Sequence, residues 1–302
     1  MAKFYILTVQ EVRKETANSV SIVFTVPDSL KDMFSFIPGQ YITIQKELNG
    51  EQVRRDYSIC SSQNSGQLKV GIKAVENGTF SQYASSQLKV GDTLEVSAPR
   101  GRFNLIPNAD HTKNYIAFAA GSGITPILSM IQSALEDEPN SKFVLVFGNK
   151  SMDEVMFKED LEKLKNTYSD RFFIHYTFSQ AQYNDYHSGR IDGNYSKIIL
   201  DESHKEMRFD DYFLCGPEQK IKEVKALLKT REVPENRIHF ELFTSAPATE
   251  KGGIDFKGET QITVLLDDEE DTFTMKSERT ILESALLQGL DAPYSCQGGI
   301  CS

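Results

Sequence analysis

The chain has 302 residues, of which 39% are hydrophobic and 25% are charged, and its net charge is −10. This composition is typical of a globular protein, and the length allows two ordinary domains plus a smaller one. The negative charge argues against nucleic acid as a partner, and no apolar run reaches the roughly 20 residues of a membrane span. Four cysteines are too few for a disulfide framework and favour a reducing compartment, the cytoplasm.

Residues 1–106 are predicted to form a small antiparallel β-barrel. Short strand-like stretches alternate with turn dipeptides such as Pro38-Gly39 and Asn77-Gly78. The predicted strands are Phe4–Val9, Val20–Val26, Tyr41–Ile44, Gln67–Val75 and Thr93–Ala98. Closely spaced short strands with little helix between them are typical of a barrel.

Residues 107–245 show a different pattern, in which apolar strands alternate with helical stretches. The predicted strands are Tyr115–Ala120, Phe143–Phe147, Phe172–Phe178, Asp211–Leu214 and His239–Phe243. Predicted helices run from Pro126 to about Leu135, over Glu159–Tyr168, and onward from Pro217. This alternation predicts a parallel sheet with helices on both faces.

The last part of the chain is predicted to be a linker, residues 246–258, followed by a hairpin and a short helix. The hairpin strands are Gln261–Leu266 and Thr272–Met275, with the acidic run Asp267–Asp271 between them. That run is either a solvated turn or a surface that steers a basic redox partner toward this end of the chain.

Cys296 and Cys301 are the candidate metal ligands. Their spacing, among glycines, matches the opening of the C-x4-C-x2-C…C pattern of plant-type [2Fe–2S] proteins. The next cysteine would fall two positions beyond Ser302. We therefore expect residues 259–302 to hold the N-terminal part of such a module, truncated so that it contains two of the four ligands.

The segment Arg54–Ser58 offers groups that a flavin needs. Arg55 provides a cation for phosphate, Tyr57 an aromatic face for the ring, and Ser58 a small hydroxyl. In an extended strand Arg55 and Tyr57 point to one side and Ser58 to the other. Taken alone, an arginine and a tyrosine on a barrel rim are more often structural.

A second candidate, Gly78-Thr79-Phe80-Ser81, follows about twenty residues later. Gly78 permits a tight turn, and the free N–H groups of a helix that starts at Thr79 would form an anion site. The alternative is a β-turn with an ordinary helix cap.

The segment Gly121–Pro126 lies at a strand-to-helix turn, where a pyrophosphate could approach the backbone. It departs from the G-x-G-x-x-G fingerprint, because Pro126 replaces the third glycine. The acidic residue that often binds ribose is also absent after the next strand. Lys150, Ser179 or Arg190 could instead meet a 2′-phosphate, which favours NADPH over NADH, although Lys150 could equally be an exposed loop residue.

Cys215-Gly216-Pro217 follows a buried strand and opens a helix, at the sheet edge where nicotinamide would lie. The thiol could pack beside the ring, or Cys215 could simply be a buried strand-end cysteine. Phe243, at the end of the last predicted strand, could cover a flavin ring. Cys60 is expected to be an ordinary core cysteine.

The chain resembles the ferredoxin–NADP⁺ reductase superfamily, whose members carry the same motifs in the same order: R-x-Y-S, G-x-x-S, G-S-G-I-T-P, C-G-P and E-L-F. The resemblance covers residues 3–245, and residues 259–302 resemble a plant-type ferredoxin module, the arrangement of oxygenase reductases. It implies a multidomain fold: an antiparallel β-barrel flavin domain, an α/β Rossmann-like nucleotide domain and a partial β-grasp ferredoxin domain.

The resemblance also implies the cofactors and their binding residues. FAD is expected to contact Arg55, Tyr57, Ser58, Ile72, Lys73, Gly78, Thr79 and Ser81. NADPH, with NADH possible, is expected to contact Gly121, Gly123, Thr125, Pro126, Cys215, Gly216 and Pro217, with Phe243 beside the flavin. The [2Fe–2S] centre is expected to use Cys296 and Cys301.

The implied function is electron transfer from NADPH through FAD to a [2Fe–2S] centre and then to a partner oxygenase. The cofactors would carry the chemistry, so no side chain is expected to act as an acid or base. One alternative is a general ferredoxin or flavodoxin–NADP⁺ reductase. Another is a non-catalytic flavin redox sensor or regulatory subunit, against which the two nucleotide turns argue.

Overall fold

The computed structural model describes residues 3–242, 258–266, 269–276, 279 and 281–290. Within these ranges the chain forms two six-stranded sheets and one separate hairpin. No helix in the described part of the chain is long and apolar enough to cross a membrane.

The first sheet is the predicted antiparallel barrel. Its strands are β1 (Phe4–Thr16), β2 (Ser19–Thr25), β3 (Tyr41–Leu48), β4 (Glu51–Ser58), β5 (Leu68–Lys73) and β6 (Thr93–Ser97). They are arranged in the order β4-β3-β6-β1-β2-β5, and a bridge between Ile59 and Val70 joins the two ends. A helix, α1 (Thr79–Ser86), follows β5.

Alternating side chains fill the barrel. On β1, Leu7 and Val9 are buried in the barrel core whereas Ile6 is exposed, as expected for a strand with one face inward. β1 runs on to Thr16, well past the Val9 predicted from sequence. The extension is polar and lacks apolar alternation, and it is held by pairing with β2 across an irregularity at Val9/Glu11.

The second sheet is the predicted parallel sheet. Its strands are β7 (Asn114–Ala120), β8 (Lys142–Asn149), β9 (Phe172–Phe178), β10 (His187–Ser188), β11 (Asp211–Gly216) and β12 (Ile238–Leu242), in the order β10-β9-β8-β7-β11-β12. The associated helices are α2 (Ile124–Asp137), α3 (Lys158–Thr167), α4 (Gly193–Ile198) and α5 (Glu218–Thr230).

Helices cover both faces of this sheet, as expected. One apolar cluster includes Ile127 of α2, Phe147 of β8 and Leu161 of α3. A second includes Tyr195 of α4 and Val224 of α5 together with the opposite face of the strands. The short elements β10 and α4 were not predicted, because a two-residue strand and a six-residue helix leave little periodic pattern.

The order of the strands determines where a ligand can bind. Strands β8 and β9 follow β7 on one side of the sheet. Strand β11 then lies on the other side of β7. Open parallel sheets bind ligands at the carboxyl ends of the strands, where the strand order reverses. The crevice between the ends of β7 and β11 is therefore the expected site.

The third unit is a hairpin of β13 (Glu259–Leu266) and β14 (Glu269–Lys276), followed by α6 (Ile281–Leu287). Both hairpin strands and a helix are present, but β14 begins at Glu269, inside the acidic run predicted to lie between the strands, and a complete ferredoxin module is not shown. Cys296, Cys301, Phe243 and residues 246–257 of the predicted linker lie outside the described residues. The domain boundaries at 106, 245 and 258 stay predictions.

Candidate active site

The glycine-rich turn after β7 lies against the end of β11. Gly121 adopts φ +53°, a left-handed conformation that glycine reaches without strain. A Cβ on Gly123 would lie 2.5 Å from the carbonyl oxygen of Cys215, so a side chain cannot fit there. α2 begins at Ile124, with Pro126 in its first turn. The turn thus brings a helix start to the crevice.

The end of β11 contributes a second turn to the crevice. Cys215 is fully buried, and Gly216 adopts φ +139°, which most other residues avoid. Pro217 precedes the first residue of α5. Two helix N-termini therefore lie at one edge of the sheet, and both favour a bound anion.

A cavity of about 540 Å³ opens between these turns and the ends of the neighbouring strands. It contains both glycine turns and four basic residues: Lys73, Lys150, Arg190 and Lys220. Its remaining lining residues include Ala120, Ser122, Gly148, Asn149, Ser179, Gly189, Ile191, Gln219 and Glu223. The volume and the cations fit an anionic, nucleotide-sized ligand.

Asn149 ends β8 at the place where many dinucleotide-binding proteins carry an acidic ribose-binding residue. Its side chain is buried, and neither amide atom has a hydrogen-bond partner in the structure. Such buried, unpaired polar atoms are uncommon and need an explanation. A ribose hydroxyl or phosphate oxygen bound in the cavity would supply one.

Three buried polar groups converge where the two sheets meet. The Ser58 hydroxyl, from the end of β4, lies 3.5 Å from a carboxylate oxygen of Glu241 on β12. Glu241 pairs in register with Cys215 of β11. Burial raises the pKa of the Cys215 thiol well above its ordinary value, and the Glu241 charge raises it further. Glu241 is not among the predicted site residues, because the E-L-F motif alone does not predict contact with the barrel.

The remaining flavin candidates on β4 differ in burial, because Tyr57 is half-buried against the barrel core and Arg55 is not. Arg55 is exposed, and its guanidinium donates to the carbonyl oxygen of Arg54. The Tyr57 ring packs against Phe80 of α1, with ring centroids 5.6 Å apart. The structure therefore brings Tyr57 to the start of α1 and leaves the Arg55 guanidinium accessible.

The turn before α1 is tightly built around Gly78. A Cβ on Gly78 would collide with the Ser81 hydroxyl. That hydroxyl accepts a hydrogen bond from the Val75 N–H and donates to the Gly78 carbonyl, so Ser81 holds the turn in place. Gly78 and Thr79 also line a separate cavity of about 340 Å³, beside Asn49 of the β3–β4 turn.

Two predicted flavin residues on β5 have other contacts in the structure. The Ile72 side chain is fully buried in the barrel core, so only its backbone could touch a cofactor. The Lys73 amine lies 2.7 Å from a carboxylate oxygen of Glu154 and lines the larger cavity. Lys73 thus faces the nucleotide cavity and links the two sheets.

The predicted nucleotide residue Thr125 is also internal. It is buried, its hydroxyl donates to the Ser122 carbonyl oxygen at 3.0 Å, and its methyl group lies 2.7 Å from where a Cβ on Gly71 of the barrel would be. Thr125 therefore shapes the glycine turn and packs it against the barrel.

Two protein families match the two sheets. Residues 7–105 match the oxidoreductase FAD-binding domain, and residues 118–226 match the oxidoreductase NAD-binding domain. A crystal structure of a ferredoxin NADP⁺ reductase from Neisseria gonorrhoeae, with FAD and NADP bound, has the same fold. Its TM-score is 0.67 at 18% identity, over 80% of this chain and 99% of that chain.

Curated relatives extend the similarity along the whole chain. One of the subunits of 1,2-phenylacetyl-CoA epoxidase from Escherichia coli is 37% identical over 305 residues, covering 100% of this chain and 86% of the relative. The ferredoxin reductase component of 3-ketosteroid-9-alpha-monooxygenase from Rhodococcus rhodochrous is 33% identical, covering 98% and 83%. Together with the two sheets and their glycine turns, these similarities show that the chain belongs to the ferredoxin–NADP⁺ reductase-like family of FAD- and NAD-binding oxidoreductases, as an NAD(P)H-dependent electron-transfer flavoprotein reductase.

Proposed function

We propose that this reductase takes electrons from NADPH through FAD and delivers them to an oxygenase component, such as a phenylacetyl-CoA epoxygenase. The observation that carries the proposal is the cavity at the β7–β11 crevice, whose lining residue Gly216 follows Cys215, the strand partner of Glu241 in the Ser58–Glu241 contact. The two relatives, named as parts of a 1,2-phenylacetyl-CoA epoxidase and of a 3-ketosteroid monooxygenase, support an oxygenase as the acceptor.

The barrel residues have distinct roles in this proposal. Bound FAD would accept two electrons from a nicotinamide and release them singly. Arg55 would pair with the FAD phosphates, because its guanidinium is exposed at the barrel surface. The α1 start at Thr79 would donate its N–H group to the same phosphates, and Tyr57 would pack against the ring system.

The cavity residues favour NADPH over NADH. Lys150 and Arg190 line the cavity together with Ser179, and Asn149 brings its two unpaired amide atoms to the same end. None of these four residues is acidic. Cations and hydroxyls stabilise a 2′-phosphate, whereas a ribose without phosphate is usually held by a carboxylate.

Residues at the meeting point of the sheets would position the nicotinamide. Gly216, the last residue of β11, and the following Pro217 line the cavity, and Cys215 is buried next to them in the chain. The Ser58 hydroxyl and Glu241 carboxylate provide hydrogen-bonding groups in a site that excludes water. Their contribution is orientation of the two reactants, which accounts for large rate effects in enzymes.

The proposed [2Fe–2S] centre depends on Cys296 and Cys301, which lie outside the described residues. In the described part of the chain, no group of three or more His, Cys, Asp or Glu side chains could hold a metal. The other two cysteines, Cys60 and Cys215, are buried in the reductase core. The residues present therefore supply two of the four thiolates that such a centre takes.

Anaerobic mixing of the flavin-loaded protein with NADPH tests the proposal. We expect rapid loss of the flavin absorbance near 450 nm and a lower apparent KM for NADPH than for NADH. A protein that binds flavin but is not bleached by either nucleotide would instead be a redox sensor. Faster bleaching by NADH at limiting concentration would overturn the NADPH assignment.

The variant Lys150→Ala tests the 2′-phosphate site directly. We expect a rise in KM for NADPH of about 10-fold, the effect of losing roughly 1.4 kcal/mol of charge-assisted binding, with little change for NADH. Lys197→Ala is the matched control, because Lys197 is an exposed cation on α4 that does not line the cavity. Equal effects of Lys150→Ala on both nucleotides would contradict the assignment.

A further inference from the structure

A buried lysine lies in the crevice between the two nucleotide-binding turns. Lys220 is in the first turn of α5, and its side chain is 7% exposed. Its amine donates to the carbonyl oxygens of Phe118 on β7 and Cys215 on β11, each at 2.6 Å. These two strands flank the point where the strand order reverses. The amine therefore sits at the place where the topology directs a ligand.

The amine has no acidic partner among the described residues within salt-bridge distance. Both of its acceptors are backbone carbonyls, and a protonated lysine has a third N–H still to donate. Buried charges are normally paired, because desolvation is costly. A Cβ on Gly216 would come within 3.2 Å of the amine, so the lysine lies directly behind a glycine that lines the cavity.

Burial lowers the pKa of Lys220 to about 7, and the neighbouring Cys215 acts weakly in the opposite direction. Around the crevice, Glu223 on α5 lines the cavity, and Glu241 on β12 faces Cys215. Lys73 on β5 is paired with Glu154. Lys150 and Arg190, from the loops after β8 and β10, add positive charge at the other end of the cavity.

We propose that Lys220 is the buried cationic partner of the diphosphate of the bound nicotinamide nucleotide, so that nucleotide binding is coupled to uptake of a proton by its amine. This inference rests on the proposed nucleotide site. The positions of Gly121, Gly216 and Lys220 around one crevice support it, because the two turns offer N–H groups to a diphosphate and the lysine adds a full charge. Lys220 is a positioning and charge-pairing residue and does not exchange protons with the substrate.

The direction of the pH effect follows from linkage. A nearby anion favours the charged amine and raises its pKa in the complex. Above pH 7 the free protein has a largely neutral amine, so binding must take up a proton, and affinity falls as the pH rises. Below pH 7 the amine of Lys220 is already charged, and affinity no longer depends on its protonation.

The test measures NADP⁺ binding to the oxidised, flavin-loaded protein between pH 7 and 9 by isothermal titration calorimetry. This range lies above the titration of the 2′-phosphate, whose pKa is about 6. Titrations in two buffers of different ionisation enthalpy give the number of protons taken up. Lys220→Met removes the titrating group and keeps an unbranched side chain of similar length. Lys222→Met is the matched control, since Lys222 is an exposed residue of the same helix, paired with Glu218.

For the unmodified protein and Lys222→Met, we expect Kd to rise by up to about tenfold per pH unit, with uptake approaching one proton at pH 8. For Lys220→Met, we expect weaker binding at pH 7, no rise in Kd and no proton uptake. If Lys220→Met keeps the same pH dependence, Lys220 only ties the two strands together and the inference is wrong. If Lys220→Met does not fold, the unmodified protein still tests the inference. Binding of NADP⁺ without proton uptake by the unmodified protein would then overturn the inference.

The outcome also separates this inference from the proposed function. If neither the unmodified protein nor its variants bind NADP⁺ at any pH, the proposed nucleotide site itself is wrong. If the unmodified protein binds NADP⁺ without proton uptake, the nucleotide site stands and only the role of Lys220 is lost.

Discussion

The contact between Ser58 and Glu241 joins two parts of the chain that are 183 positions apart. Both residues are buried, and Cys215 lies beside Glu241 across the strand pair. Because the pKa of the Cys215 thiol is raised, the sulfur stays protonated and unreactive at neutral pH. In the proposed function these residues shape the nicotinamide site, and the protonated Cys215 thiol does not act as a nucleophile.

Ser58→Ala should slow flavin reduction by NADPH roughly 10- to 100-fold, because small errors in positioning the reactants have effects of this size. Rapid-mixing absorbance at 450 nm measures the rate. Ser86→Ala is the control, since that hydroxyl caps the exposed end of α1 by bonding to the Gln82 carbonyl. An unchanged rate in Ser58→Ala with normal flavin content would remove Ser58 from the site.

A second pair of residues, far from the crevice, makes stability depend on pH. The Nε2 atoms of His175 on β9 and His204 lie 2.8 Å apart. Burial, and then the charge of His204, lower the pKa of His175 to about 4, and burial also lowers the pKa of His204. The folded state thus favours neutral rings, whereas an unfolded histidine titrates near pH 6.5.

We expect the free energy of unfolding to fall as the pH drops from about 6.5 to about 4, because in this range the two histidines bind protons in the unfolded chain but stay neutral in the folded protein. The contribution of His175 should be roughly 1–3 kcal/mol after allowing for partial solvent screening. Urea unfolding of the protein and of His175→Gln across this range measures it. Parallel pH profiles for the two proteins would show that the pair does not titrate in this way.

At the scale of elements, α3 is attached to the barrel by charged groups. Asp160 of α3 pairs with Arg13 of β1, and the amine of Lys69 on β5 lies 3.6 Å from the same carboxylate. Burial acts to raise the pKa of Asp160, but the hydrogen bond from Arg13 and the charge of Lys69 outweigh it and lower the pKa. Arg13 lies in the extension of β1 beyond Val9, which was not predicted from the sequence.

Asp160→Asn should destabilise the protein by about 1–3 kcal/mol, because two partly buried cations lose their charged partner. Glu159→Gln is a matched control on the exposed side of α3. Urea denaturation of both variants gives the comparison. A loss no greater than that of the control would mean that this contact adds nothing measurable to the attachment of α3.

At the scale of the whole molecule, the barrel and the parallel sheet meet through directional polar contacts. Ser129 of α2 donates to the Ser61 carbonyl oxygen at 2.7 Å, and Gln63 donates to Asp137 at 2.7 Å. Lys73 and Glu154 form the ion pair on the cavity side. Such contacts depend on orientation, so they fix the relative placement of the flavin and nucleotide sites.

Residues 1–302, purified alone, should show flavin absorbance but little iron. The physical reason is the ligand set: a [2Fe–2S] cluster takes four ligands, and the chain's two other cysteines, Cys60 and Cys215, are buried in the reductase core. Assays of flavin, iron and acid-labile sulfide on the same sample measure the cofactor content of the chain. Two irons and two sulfides per chain would refute this account of the ligands.

Much of the fold could be predicted from local pattern, because apolar periodicity and glycine turns are local properties. The strand around Tyr115–Ala120 and the turn at Gly121–Gly123 are examples, since a buried strand and a left-handed glycine each leave a signal within a few residues. The segment from His187 to Ile198 was not predicted, because its short strand and helix depend on packing against neighbours.

The two sheet types and the two glycine turns of this reductase are predictable from the sequence, because each follows from short-range sterics and hydrogen bonding. Which groups meet at the crevice depends on long-range packing. That packing places Glu241 against Ser58, turns Lys73 toward Glu154 and buries the Lys220 amine between two strands. Those contacts join residues distant in the chain, and no local pattern encodes the distance or the solvent exclusion on which their chemistry depends.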